Sequence, residues 1–167
     1  MKHVSLLRHA KAAPTGVGSD DFTRPLTASG RADATLVGET TAGQVPDLIL
    51  SSPSRRTTET VELVCQAWPH VPKIRYDETL YLAEWDGILE ELQRLPADVD
   101  DVWVVGHNPG LHELAIELGR CGGLGILDSV LGRHFPTAAR ARFSFESTSW
   151  AGILDGRCRL VAFVTPR

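Results

Sequence analysis

The chain has 167 residues, of which 43% are hydrophobic and 23% are charged, as in a soluble globular protein. This length predicts one domain over residues 1–167, with enough chain to bury a core. The formal net charge of −4 argues against general nucleic-acid binding and against a basic membrane-docking surface. Three cysteines without Cys-x-x-Cys spacing predict reduced thiols. No apolar stretch approaches the ~20 residues of a membrane span, and Arg8 interrupts any signal-peptide core, so we expect a cytoplasmic protein.

Strands and helices alternate in the first third of the chain. In order, the sequence predicts a buried strand, a polar loop, a helix and a second strand, at residues 3–8, 9–26, 28–42 and 47–51. Thr27 is a typical N-cap for this helix, and Gly43 is a typical stop.

A second helix has the clearest pattern, because its apolar and threonine positions recur at helical spacing. These positions are Thr57, Thr60, Val61, Val64, Cys65 and Trp68. A strand at 73–76 follows, then a helix that ends at Pro96, a strand at 102–106 and a helix from about Pro109. The glycine-rich segment 121–125 predicts a loop.

The last two predicted strands are residues 140–146 and 158–164, which we expect to pair in antiparallel fashion around the connection 147–157. Alternating strands and helices with an added edge hairpin predict an α/β protein. Its expected architecture is a three-layer α/β/α sandwich around a mostly parallel central sheet.

Three apolar runs end in residues suited to binding phosphate. Arg8-His9 follows the first run, Arg55-Arg56 comes shortly after the second, and His107 follows the strand at 102–106. Ligands of open parallel sheets bind beyond the carboxyl ends of the strands, so these residues predict one pocket. Taken alone, any one of these segments would be interpreted as ordinary polar residues at the end of a strand.

The expected chemistry is phosphoryl transfer. A neutral imidazole at His9 attacks phosphorus and divides one displacement into two easier steps. Arg8 supplies a planar fork for phosphoryl oxygens. We expect Arg56 rather than Arg55 to bind the phosphoryl group, because Arg55 is expected to face solvent. Arg56 lies in the first turn of its helix, where free N–H groups and the helix dipole favour anions. As a cation, His107 could neutralise developing charge.

The other histidines are expected to be structural, because no Cys, Asp or Glu accompanies them at metal-ligand spacing. These residues are His3, His70, His112 and His134. We therefore expect neither a metal site nor a cofactor.

Six sequence blocks together resemble the histidine phosphatase superfamily, also called the phosphoglycerate mutase-like fold, and within it the SixA-type phosphohistidine phosphatases. They are residues 7–12, 21–30, 52–60, 80–83, 105–111 and 135–138, in the family's order and over essentially the whole chain. Two positions depart from the family's pattern. The hallmark Arg-His-Gly here ends in Ala10, and Glu59 stands where Gln is frequent.

The resemblance implies that His9 is the phosphorylated nucleophile, with Arg8, Arg56, His107 and Thr137 forming the phosphate pocket. Only about 50 residues separate Arg56 from His107, which leaves room for no more than a minimal cap. We expect a monomer. Larger relatives that act on alcohol phosphates use a carboxylic acid to protonate the leaving oxygen, a contribution of ~10²–10⁴-fold. Here the segment 76–90 offers Asp77, Glu78, Glu84 and Asp86, of which Glu84 is the best candidate.

A departing imidazole needs less help than an alkoxide, so a phosphohistidine phosphatase can work without a placed acid. The sequence therefore favours a metal-independent phosphatase acting on phosphohistidine in a protein. The alternatives are a phosphatase of small phosphate esters that uses Glu84, a mutase, and a module that binds phosphate or phosphoproteins without turnover.

Overall fold

The computed structural model describes residues 1–121, 123 and 130–166. Its strands are β1 (Lys2–Arg8), β2 (Leu48–Ser51), β3 (Lys73–Tyr76), β4 (Asp101–Gly106), β5 (Arg140–Phe145) and β6 (Cys158–Val164). Its helices are α1 (Ala28–Thr40), α2 (Arg55–Gln66), α3 (Trp85–Gln93), α4 (Gly110–Cys121) and α5 (Val130–Arg133). The strands form one sheet in the order β3-β2-β4-β1-β5-β6.

The central sheet separates two hydrophobic cores, because alternate side chains of its strands point to opposite faces. On β4, Val102 and Val104 belong to one core, whereas Trp103 and Val105 belong to the other. The first core also contains the inward residues of α3 and α4, and the second contains those of α1 and α2. The predicted three-layer α/β/α sandwich is confirmed.

Four strands of the sheet, β3, β2, β4 and β1, are parallel to one another. β5 runs antiparallel beside β1, and β6 pairs in antiparallel fashion with β5, which confirms the predicted edge hairpin. The chain between Arg56 and His107 forms only the rest of α2, β3, a short 3-10 turn at Glu78–Leu80, α3 and β4. This economy fits the small cap expected from the sequence.

Several predicted helix boundaries differ from the structure by one to three residues. The first helix ends at Thr40, because the Thr41 hydroxyl donates to the carbonyl of Val37 at 2.6 Å and closes the last turn. α3 ends at Gln93 rather than at Pro96, and α4 begins at Gly110, directly after the cis Asn108–Pro109 bond.

Thr27 is confirmed as an N-cap, since its hydroxyl accepts from the N–H of Gly30 at 3.0 Å. The predicted polar loop 9–26 contains a 3-10 turn at Asp21–Thr23. Of the glycine-rich segment 121–125, residues 122, 124 and 125 lie outside the described residues. No helix among the described residues is long and apolar enough to cross a membrane.

The register of the parallel strands brings three chain segments to one edge of the sheet. Arg8 lies opposite Gly106, and Ser51 lies opposite Val105. Just beyond the strands, the His9 N–H donates to the Gly106 carbonyl and the Ser52 N–H donates to the Val105 carbonyl, each at 3.1 Å. The backbone therefore fixes where these segments leave the sheet.

Candidate active site

The His9 ring lies at the end of β1 and is almost fully buried, with 7% of the residue exposed. Its Nδ1 is 2.7 Å from the carbonyl oxygen of Ala10. A carbonyl can only accept, so Nδ1 carries the proton and the lone pair belongs to Nε2. The local backbone thus sets the tautomer that a nucleophilic imidazole needs.

Arg56 joins the two histidines from the first turn of α2. Its Nε donates to His9 Nε2 at 3.3 Å, and its Nη2 donates to His107 Nδ1 at 3.1 Å. The side chain is 2% exposed, whereas that of Arg55 is 56% exposed and pairs with Glu59 on the surface. The structure therefore places Arg56 in the pocket and Arg55 at the surface, as predicted from their positions on the helix.

His107 follows β4 and is 3% exposed. Because Arg56 donates to its Nδ1, its Nε2 carries the proton and donates to the Ser52 hydroxyl at 2.8 Å. The centroids of the two histidine rings are 5.3 Å apart. The pocket thus presents two imidazoles, each in a tautomer fixed by its neighbours.

Both imidazoles are neutral at pH 7. Burial lowers the pKa of His9 to about 4, and the charges of Arg56 and Arg8 add to the shift. Burial, then His9 and Arg56, lower the pKa of His107 to about 3. The His107 ring is therefore neutral in the empty pocket, because it has lost its hydration beside a guanidinium that is already charged. A cationic His107 beside a phosphoryl group stays a prediction.

Arg8 contributes a second guanidinium at the end of β1. Its Nη1 donates to the carbonyl of Phe135 at 3.1 Å, and the Asn108 side-chain amide donates to the same oxygen at 2.9 Å. Arg8 Nε and Asn108 Oδ1 are buried and have no hydrogen-bond partner in the part of the chain that the structure describes. Both residues line the pocket, which therefore retains unused hydrogen-bonding capacity.

Asp21 is the main pocket residue that the sequence analysis missed. Its Oδ2 accepts from Arg56 Nη2 at 3.1 Å and from the Tyr81 hydroxyl, and its Oδ1 accepts from Arg24 Nε at 2.9 Å. Its backbone carbonyl accepts from Arg56 Nη1 at 2.8 Å. The Tyr81 hydrogen bond and the two arginines lower the pKa of Asp21 to about 2, so the carboxyl is ionised at pH 7.

The pocket has a volume of about 370 Å³ and a strongly cationic lining. The sequence-predicted residues His9, Arg8, Arg56, His107 and Thr137 all line it. The residues that the sequence did not single out are Lys11, Ala12, Asp21, Arg24, Leu82 and Asn108. Asp21 and Arg24 belong to the block 21–30 that carried the family resemblance, so a signal for them was present.

Glu84 does not line this pocket. It is exposed, it precedes α3 as the N-cap residue, and its side chain makes no capping hydrogen bond. The neighbouring chain is held close to α4, since a Cβ on Gly110 would lie 1.9 Å from the carbonyl oxygen of Ala83. The only carboxylate among the described residues that line the pocket is Asp21.

A buried neutral imidazole beside two guanidinium groups at the edge of a parallel sheet defines an α/β protein suited to displacement at phosphorus. The sequence matches the histidine phosphatase superfamily (branch 1) over residues 4–117. The chain belongs to this family.

The comparisons with individual proteins agree with this placement. An uncharacterized protein of Mycobacterium tuberculosis is 33% identical over 165 residues, which are 96% of this chain and 100% of the relative. A candidate phosphohistidine phosphatase SixA from Nakamurella multipartitia superposes with a TM-score of 0.85 at 28% identity, over 99% of this chain and 96% of the other. A second, from Agrobacterium tumefaciens, has a TM-score of 0.82 at 31% identity, over 99% and 98%. The predicted phosphoglycerate mutase-like fold is confirmed, and these neighbours support a phosphatase as the class of enzyme.

Proposed function

We propose that this protein hydrolyses phosphohistidine in a partner protein, through a covalent phospho-His9 intermediate and without a metal ion. The observation that carries the proposal is the charge state of the pocket. It combines two neutral imidazoles, three guanidinium groups and one carboxylate, Asp21, whose pKa of about 2 leaves no proton to donate at pH 7.

In the first step His9 Nε2 attacks phosphorus, and the N–P bond of the substrate breaks. The electron pair of that bond goes to the departing imidazole, which leaves neutral when its other ring nitrogen is already protonated. His9 becomes cationic on phosphorylation, and the Ala10 carbonyl stabilises it by accepting from Nδ1–H. Arg8 and Arg56 bind the phosphoryl oxygens in this proposal, as planar donors suited to that geometry.

In the second step water attacks the phosphorus of phospho-His9. The P–N bond breaks, its electron pair returns to Nε2, and inorganic phosphate leaves. A phosphoryl dianion beside His107 raises the pKa of that ring, because it offsets the positive charge of Arg56. His107 can then take up positive charge only when the phosphoryl group is present.

The leaving group decides between phosphohistidine and small phosphate esters. An alkoxide needs a proton from a general acid, and such an acid contributes ~10²–10⁴-fold. Glu84 lies outside the pocket lining, and the Tyr81 hydroxyl donates its proton to the Asp21 carboxylate. The pocket therefore suits a leaving group that departs without protonation.

The test compares phosphate release from three substrates in the presence of EDTA: a histidine-phosphorylated carrier protein, p-nitrophenyl phosphate and glycerol 2-phosphate. We expect the carrier to react fastest and glycerol 2-phosphate at least ~10²-fold more slowly than p-nitrophenyl phosphate, whose phenolate leaves without an acid. Comparable rates on the two esters would point instead to a phosphatase of small phosphate esters, with a proton donor that this geometry does not provide.

The matched variant is His9→Ala. We expect it to abolish turnover of every substrate while inorganic phosphate still binds, because the guanidinium groups remain. Acid quenching of the parent during turnover is expected to trap an acid-labile phosphoryl group on His9, identified by peptide mapping. Turnover by the variant would overturn the covalent mechanism, and absence of turnover by the parent would favour a binding module.

A further inference from the structure

A second cavity of about 340 Å³ lies away from the catalytic pocket, between α1, β5 and β6. Its walls are largely apolar and include Leu36, Val37, Ala138, Ala162 and Val164, and Arg140 also borders it. We call it the Arg140 groove. Its volume is within the range of small-molecule pockets, which is ~300–1,000 Å³.

Arg140 is a buried cation whose hydrogen-bond acceptor is a neutral amide rather than a carboxylate. The residue is 5% exposed, and both terminal nitrogens donate to one amide oxygen, Gln44 Oε1, at 3.2 Å. Its guanidinium carbon lies 5.0 Å from the centroid of the Trp103 ring. None of the ion pairs among the described residues includes Arg140.

Burying a charge is costly unless an opposite charge accompanies it. The nearest comparable residue on the same strand, Arg142, is fully paired, with Nη2 at 2.7 Å from Asp101 Oδ2. Burial lowers the pKa of Arg140 to about 10, with Arg142 adding to the shift and Asp101 opposing it, so the group is still charged at pH 7. A buried, charged guanidinium bordering an apolar cavity is a recognition feature for an anion that carries hydrocarbon.

We propose that the Arg140 groove binds a small amphipathic monocarboxylate, with its carboxylate on Arg140 and its hydrocarbon chain along the apolar walls. Each terminal nitrogen has a second N–H besides the one that it gives to Gln44, so the guanidinium can still donate to a carboxylate. A single buried guanidinium balances one negative charge, so a monoanion fits better than a phosphate dianion. The apolar walls exclude a small hydrophilic anion such as acetate as the preferred ligand.

Ala138, one of the wall residues of the groove, also contacts the backbone of two residues of the catalytic pocket. The Ala138 N–H donates to the carbonyls of both Arg8 and His9, at 3.1 Å each. A carboxylate could also bind in the catalytic pocket in place of phosphate. Binding to the groove must therefore be measured with the catalytic pocket occupied, and inorganic phosphate in the buffer occupies it.

The experiment is calorimetric titration of the full chain with octanoate, octanol, octylamine and acetate in phosphate buffer at pH 7. We expect octanoate to bind at least tenfold more tightly than octanol or acetate, and octylamine not to bind. The matched variants are Val164→Asp and Val161→Asp, since both residues lie on β6 and are 50% and 51% exposed, but only Val164 lines the groove. Val164→Asp should weaken octanoate binding at least tenfold, and Val161→Asp should leave it unchanged.

Each alternative outcome overturns the proposal. Equal affinities for octanol and octanoate would mean that Arg140 does not bind the carboxylate of the ligand. Equal loss in the two valine variants places the ligand outside the groove, and no binding of octanoate removes the site. Arg140→Gln adds a test of the head-group contact, provided that its melting temperature shows a folded chain, and it should reduce octanoate binding to the level of octanol.

Discussion

The Asp21 carboxylate is expected to weaken the binding of phosphate in the catalytic pocket, and Asp21→Asn tests this directly. The substitution removes one negative charge and retains an oxygen that can accept from Arg24 or Arg56. Arg56 also stays in place through its bonds to His9, to His107 and to the backbone carbonyl of residue 21. The change is therefore mainly electrostatic.

The magnitude follows from the position of the carboxylate. Asp21 Oδ2 is 3.1 Å from Arg56 Nη2, the group that the proposed mechanism also uses to bind phosphoryl oxygens. At a separation of ~5 Å, two unit charges repel by about 3 kcal/mol at an effective dielectric constant of 20 and by about 0.8 kcal/mol in bulk water. The Asp21 side chain is 39% exposed, so a value of ~1.4 kcal/mol, or a tenfold change in affinity, is appropriate.

The assay is the inhibition constant of inorganic phosphate during turnover of p-nitrophenyl phosphate at pH 7. We expect Asp21→Asn to lower this constant about tenfold relative to the parent chain. Asp20→Asn is the control, because Asp20 is exposed and does not line the pocket. An unchanged or higher constant in Asp21→Asn would show that the carboxylate mainly orders Arg56, and it would refute the electrostatic reasoning.

Three further results are expected. In NMR titrations the rings of His9 and His107 should stay neutral from pH 8 to 5.5, whereas the histidines of the urea-unfolded chain should titrate near 6.5. Because the pKa values of both rings are lower in the folded chain, these groups should reduce the free energy of unfolding as the pH falls from about 6.5 toward 4. In urea unfolding, Gly110→Ala should lower the free energy of unfolding by ~2 kcal/mol or more, because the new Cβ would meet a backbone carbonyl. Gly87→Ala is the control, since a Cβ there has nothing within 4 Å, and it should raise the free energy of unfolding by up to ~1 kcal/mol. Glu84→Gln should leave the hydrolysis of glycerol 2-phosphate within twofold of the parent; a larger loss would return this carboxyl to the reaction.

The fold was predictable because its elements follow strong local patterns. The helical face that begins at Thr57 and the buried apolar run of β4 appear in the structure as the sequence indicates. The helix ends were less predictable, because they depend on single capping contacts. The Thr41 hydroxyl, for example, closes α1 before the glycine that suggested its end.

The histidines and arginines of the pocket were predictable because they follow strands whose ends must meet. The position of Asp21 was not, since it lies in a polar loop without periodicity and its contacts, Arg56 and Tyr81, are 35 and 60 residues away. The neutral state of the His107 ring in the empty pocket was not predictable either, for a related reason. Residue type gives the ordinary pKa, but burial and a guanidinium at 3.1 Å set the actual one.

Arg56 connects the two features that distinguish this pocket, the fixed tautomers and the ionised carboxylate. Its Nε–H points at the lone pair of His9, and both terminal nitrogens contact Asp21. The hydrogen bond from Nε to His9 must open before the lone pair attacks phosphorus, and this N–H can then donate to a phosphoryl oxygen while the contacts with Asp21 hold the guanidinium in place. The hydrogen bond from Tyr81, followed by the charge of Arg56, lowers the pKa of Asp21 to about 2, and an ionised carboxylate cannot protonate an alkoxide. The arrangement around the proposed nucleophile therefore offers no acid for esters with poor leaving groups, which supports the proposed preference for phosphohistidine.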